Sequence, residues 1–190
     1  MALDAADVRV GGDAHIFLAP LATAFPDWDE APDPTDWTEL GYVTPDGVTL
    51  AFNREVNDIF AMQTAEPIRT VATRLPKTVA FSMMQQGRDQ LLLALGGGTF
   101  TPEAGATGVV RYEPPDASVV DERAMLVEMI DGVATYRWHY LRVQNREGVE
   151  HKYLREDAAT FPVTMQILQP AGGAKPFYFL SDDPAFAVTP

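Results

Sequence analysis

The densest group of reactive side chains is Asp27-Trp28-Asp29-Glu30, extended by Asp33 and Asp36. Clustered carboxylates are hard oxygen donors and suit Ca²⁺. A carboxylate pair also does the acid–base work of glycoside hydrolysis, with Trp28 and Trp37 as platforms for a sugar ring. The spacing lacks the D-x-[DN]-x-[DN]-G order of a calcium loop, and Pro26, Pro32 and Pro34 interrupt it. Among 27 acidic residues some pair always stands close, so the segment reads as a solvated acidic loop. The three imidazoles, His15, His139 and His151, have no second histidine or carboxylate at ligand spacing and read as surface or core-edge residues. None of the serines, Ser82, Ser118 and Ser181, lies in a G-x-S-x-G elbow. Gly96-Gly97-Gly98 follows a helical pattern instead of opening one, so it cannot place phosphate at a helix N-terminus. The chain has no cysteine, which removes disulfides, thiolate metal sites and a cysteine nucleophile. The expectation is a non-enzymatic protein with no catalytic, cofactor or metal site, whose function is carried by shape.

The charge balance points the same way. The chain has 190 residues and a net charge of −13, from 27 acids and 14 bases. Residues 1–66 hold 13 acids against Arg9 and Arg54 alone, so nearly all the imbalance lies in the first third. Such a chain repels nucleic acid and anionic membranes at long range. Residues 1–9 carry Asp4 and Asp7 and lack a basic-then-apolar leader, and no apolar run reaches membrane-spanning length. Synthesis in a cytoplasm is the expectation.

The elements that position these side chains repeat with period two. Phe161, Val163, Met165 and Ile167 share one face, as do Val79, Phe81 and Met83; Val48, Leu50 and Phe52 repeat the pattern, and Val71, Thr73 and Leu75 do so less cleanly. Asp46-Gly47 and Asp131-Gly132 each read as a type I′ hairpin turn. After the second turn, Tyr136, Trp138 and Tyr140 face one side, with Arg137, His139 and Leu141 on the other. Residues 124–130 are apolar on both faces, which calls for two covers, and a subunit contact is one candidate. One short helix is predicted over 87–95, with Leu91, Leu92 and Leu95 on its docking face and Gly96 in the left-handed position after it. Residues 20–34 and 96–108 read as long loops, and a third begins at Pro114-Pro115. The fold class is mainly β, a sandwich or barrel with one docked helix, and no linker divides residues 1–190.

Several segments resemble the major tail (tail tube) proteins of long-tailed, siphophage-type bacteriophages of actinobacteria. Gly11-Gly12 with the run His15-Ile16-Phe17-Leu18-Ala19-Pro20 looks like the opening strand of that family. The run from Trp37 to Val48, W-x-x-L-G-Y-V-x-x-D-G-V, is the most specific part. Arg54-Glu55-Val56-Asn57-Asp58-Ile59, Arg69-Thr70-Val71, and the C-terminal Pro176-Phe177 and Asp182-Asp183-Pro184-Ala185-Phe186 continue the likeness.

The resemblance implies a β-sandwich subunit that joins identical copies into a ring, six-fold in the family, whose inner sheets close a barrel and whose rings stack into a tube for DNA ejection. It implies arms that cross the ring plane, for which the candidates are a long loop at residues 53–66, the N-terminal residues 1–8 and the C-terminal residues 183–190. Candidate contact residues are Arg54, Glu55, Asp58, Phe60, Met62, Met125, Val127, Met129, Asp183 and Phe186. Tail terminator, tape measure and distal tail proteins are the implied partners, with DNA passing unbound, no membrane and no cofactor. The implied location is the virion, after assembly in the host cytoplasm. A related secretion or injection tube subunit is the alternative of the same architecture. A carbohydrate-binding β-sandwich, stacking sugar on Trp28 and Trp37, is the alternative from another class.

Overall fold

A computed structural model describes residues 8–116, 118–151, 153 and 155–187. Twelve strands and one helix follow in chain order: β1 (Asp13–Pro20), β2 (Thr38–Glu39), β3 (Thr49–Phe52), β4 (Glu55–Phe60), β5 (Pro67–Arg74), β6 (Lys77–Met83), α1 (Arg88–Ala94), β7 (Thr99–Pro102), β8 (Val110–Glu113), β9 (Glu122–Asp131), β10 (Ala134–Asn145), β11 (Phe161–Ile167) and β12 (Phe177–Ser181). The mainly β, helix-poor expectation holds. Eight strands form one antiparallel sheet in the order β2-β1-β9-β10-β11-β6-β3, with β12 also on β10.

The longest strand organises this sheet. The first half of β10 pairs with β12 (Tyr136 opposite Ser181 to Tyr140 opposite Phe177), and its end pairs with β11 (Val143 opposite Ile167). Between them the β9–β10 register shifts at Tyr140/Val143. A shift of that kind bends a ladder and increases its twist, so one strand can serve two halves of a curled sheet. The inward faces of the two halves meet in the main core. Ile16, Leu18, Met125, Val127, Tyr140 and Val143 come from one half, and Val79, Phe81, Met83, Phe161, Val163 and Met165 from the other. The inward sets of β6 and β11 are the alternating residues that the sequence indicates.

The β9–β10 turn forms as expected, with a different geometry. Ala134 pairs with Asp131, so Gly132 and Val133 are the central residues. Gly132 has φ 62° and Val133 is not left-handed, which fits a II′ turn with glycine first and replaces the expected I′. Asp46-Gly47 makes no hairpin. Val43 bridges Met83, and Thr49 to Phe52 pair with Ala80 to Lys77, so both flanks run along the same strand, β6. The turn, closed by Gly47 N–H to the Thr44 carbonyl (2.9 Å), is an excursion within one edge strand.

The helix docks by a face other than the one expected. Its buried residues are Gln90, Leu93 and Ala94, while Leu95 is exposed. Gln90 is held there because its Nε2 donates to the Leu40 carbonyl (2.9 Å). At the other end Gly96, at φ 75°, lets Gly97 N–H reach the Leu92 carbonyl (2.7 Å) and Gly96 N–H reach that of Leu93 (3.3 Å), a Schellman closure. Asn145 Nδ2 donates to the carbonyls of Leu93 and Ala94, joining this end to β10.

The outer face of β9 and β10 has its own cover. Residues 21–36 cross it, and Trp37 and Phe25 pack with Ala19, Ala124, Leu126 and Phe17 as a second core. The second cover of the doubly apolar strand, for which a subunit contact was one candidate, is thus supplied by the chain itself. One face of β9 fills the main core and the other lies beneath the chain's own acidic loop.

Candidate assembly interface

The cover over β10 rests on one arginine. Arg137 is buried on the outer face, and its Nη1 donates to the carbonyls of Asp27 (3.0 Å), Trp28 (2.9 Å) and Glu30 (2.9 Å). Its Nε pairs with Glu128, and the guanidinium lies 5.5 Å from the Trp28 ring. The loop is therefore held by its backbone, and the carboxylates of Asp27, Asp29, Glu30, Asp33 and Asp36 are left to solvent. Among the described residues, no group of three or more His, Asp or Glu side chains is arranged to hold a metal ion. Trp37 is buried, with Nε1 donating to the Ala24 carbonyl (3.2 Å), so it offers no platform for a sugar.

His139, expected at a surface or core edge, is fully buried beside Arg137. Its ring lies 4.7 Å from Phe25 and 4.5 Å from Tyr178, and neither ring nitrogen has a hydrogen-bond partner. Burial first, and the Arg137 charge second, push its pKa down to about 4.

Two of the three arm candidates have described residues that are tied to the body. Asp183 is buried and accepts from Arg9 Nε, Tyr136 Oη and Ala185 N–H. The hydrogen bond from Arg9 is the largest cause of its pKa falling to about 2, followed by those from Tyr136 and Ala185. Asp182 accepts from Thr135 N–H (2.8 Å), and Val10 N–H reaches Asp131 (2.9 Å). Residues 9–10 and 182–183 thus meet beside the β9–β10 turn. Phe186 stays half exposed over Phe179 and Tyr136. Residues 1–7 and 188–190 of the two arm expectations lie outside the described residues.

The third candidate stands off the body. Residues 53–66, expected as a loop, contain β4, which pairs with β5 to make a ribbon separate from the main sheet. Every residue of both strands is exposed. Asn53 N–H to the Pro76 carbonyl (3.0 Å) closes its base, and Thr64 N–H to the Ala61 carbonyl (3.3 Å) closes its tip. Val56, Ile59, Phe60, Met62, Ile68 and Val71 all face solvent, Met62 completely. An eight-residue strand spans roughly 25 Å. A lone two-stranded ribbon is at best marginally stable in water, and its outer edges are open to further pairing.

The ten candidate contact residues therefore fall into three groups. Arg54, Glu55, Asp58, Phe60 and Met62 belong to the ribbon, where Glu55 lies 3.9 Å from Arg74 and Thr70 Oγ1 donates to Asp58. Asp183 and Phe186 belong to the terminal latch. Met125 and Val127 are within the core at 0 and 1% exposure, with Met129 half-buried against it, so the first two have no surface to offer another copy. Arg137 and His139 share a strand face in the sequence pattern, but neither the loop clamp of the one nor the unpartnered burial of the other was expected.

No described helix is long and apolar enough to cross a membrane. A family model described as phage tail tube protein matches residues 1–190. No curated protein matches the chain.

Proposed function

The chain belongs to the phage tail tube protein family, and from that premise we propose that it closes with identical copies into six-membered rings, which stack into the tube of a siphophage-type tail. The family makes it a structural component of the virion that assembles with itself. The single observation that carries the finer reading is the ribbon of β4 and β5. All fourteen residues of its two strands are exposed, with apolar side chains among them and open edges beside them. A lone soluble subunit is expected to blunt or cover such an edge, whereas a subunit that meets a neighbour needs it.

Further open edges favour ring closure. Among the described residues β3 pairs only with β6, and β12 only with β10. Addition of a neighbour's strand at such margins builds a continuous sheet, and closure around a ring removes the margins. The excess of 27 acids over 14 bases suits a conduit that passes DNA without holding it, since a negative wall repels phosphate. Tail terminator, tape measure and distal tail proteins are the partners such a tube requires, and assembly in the cytoplasm of an actinobacterial host completes the reading. Electron microscopy of the concentrated protein tests it. Rings of six with an open bore, alone or stacked, are expected; another ring number or a solid particle overturns the six-fold tube.

A further inference from the structure

A second feature of the surface matches the ribbon. Between the first turn of α1, the β7–β8 hairpin and the start of β11 lies an apolar groove of about 630 Å³. Leu91, Phe100, Pro102, Val110 and Phe161 line it, and Arg88 stands at its side with the guanidinium 5.7 Å from the Phe100 ring. On a chain with nearly twice as many acids as bases, the groove is lined by a base and by no acid. Arg88 has no carboxylate partner among the described residues. The ribbon tip has the converse character. Residues 58–66 hold Asp58 and Glu66, with the nearest base, Arg69, opposite Ile59 on β5, and between the two acids Phe60 and Met62 are 61 and 102% exposed.

We propose that the ribbon tip of one copy seats Phe60 and Met62 in the α1 groove of a second copy, with Arg88 facing Asp58 and Glu66. This rests on the self-assembling reading above and names the socket for the arm. Knob and socket are different surfaces of the same chain, so the contact is head-to-tail and repeats through a ring or between rings. Apolar filling supplies the affinity, and the charge pairing sets orientation and rejects misplaced docking onto an acidic body.

The absence of cysteine gives a clean test. Met62→Cys, carrying a size tag, is mixed with untagged Val110→Cys under assembling conditions and mildly oxidised. Both positions are exposed, so neither change disturbs folding. Mixed disulfide dimers well above the share that random pairing of the two variants gives are expected. Assembled particles in which the mixed species is not enriched overturn the socket while leaving the subunit reading intact; a chain that never assembles removes both. An intramolecular disulfide in the Met62→Cys/Val110→Cys double variant, formed in monomers, also overturns it, because the ribbon would then fold onto its own groove. As an independent arm, Arg88→Glu weakens assembly and Glu66→Arg in the same chain restores it. Indifference to both changes contradicts the charge pairing.

Discussion

The ring of Phe25 sits 4.7 Å from that of His139, centroid to centroid, and closes a buried imidazole that has no hydrogen-bond partner. Phe25 belongs to the acidic loop and His139 to the central strand β10. The contact joins the most acidic stretch of the sequence to the middle of the sheet.

Its first consequence is a pH dependence. The groups facing His139 are Arg137 on its own strand and Tyr178 on β12, with Glu128 of β9 already paired to Arg137. Folded His139 titrates near pH 4, against about 6.5 when unfolded. Between these values the unfolded chain binds more protons, so stability falls as pH drops from about 6.5 to about 4, with no further loss from this group below that. The cost totals on the order of 3 kcal/mol. Denaturant melts of His139→Leu and the parent across that range check this. The variant should gain relative stability by that amount toward pH 4, and parallel curves would contradict it.

The loop clamp makes a second prediction. Arg137→Met leaves Glu128 without its partner and three loop carbonyls without a donor. The expected destabilisation is about 3 kcal/mol, the usual cost of breaking one side of a buried pair. Limited proteolysis should cut residues 21–36 faster than in the parent. Arg137→Lys should not rescue the loop, because a single ammonium cannot reproduce the fork that spans Glu128 and the carbonyls.

Core and surface assignments predict opposite behaviour for neighbouring residue types. Leu126→Ala and Met125→Ala each remove a fully buried side chain and should cost about 3 kcal/mol in urea melts. Met62→Ala should change monomer stability by less than about 0.5 kcal/mol, since its side chain touches nothing it would lose.

Assembly should respond in the reverse order. Phe60→Ser with Met62→Ser leaves the body folded and reduces assembly, read as a higher concentration threshold for particles in light scattering. An unchanged threshold would show that the ribbon is idle.

The strands that fill the core were legible because their neighbours impose alternation. Val79, Phe81 and Met83 on β6 and Phe161, Val163 and Met165 on β11 must all point one way. Gly96 marked the helix end because only a residue at ease with φ 75° closes it that way. The ribbon was harder to see for the same physical reason. With both faces in solvent, Val56, Ile59 and Phe60 follow no single period, and the segment looks like a loop. Asp46-Gly47 carried a turn signal without saying which strand its flanks would join. The cover of β9 by Phe25 and Trp37 is a long-range contact that no local pattern encodes. The clamp at Arg137 binds main-chain carbonyls, which leave no mark in side-chain identity.

The most direct test of the account is sedimentation combined with negative-stain microscopy over a rising protein concentration. The account predicts a shift from the 20.8 kDa subunit to closed rings with a central bore, and then to stacks of them. A single 20.8 kDa species at every concentration, with the ribbon present and intact, would contradict it.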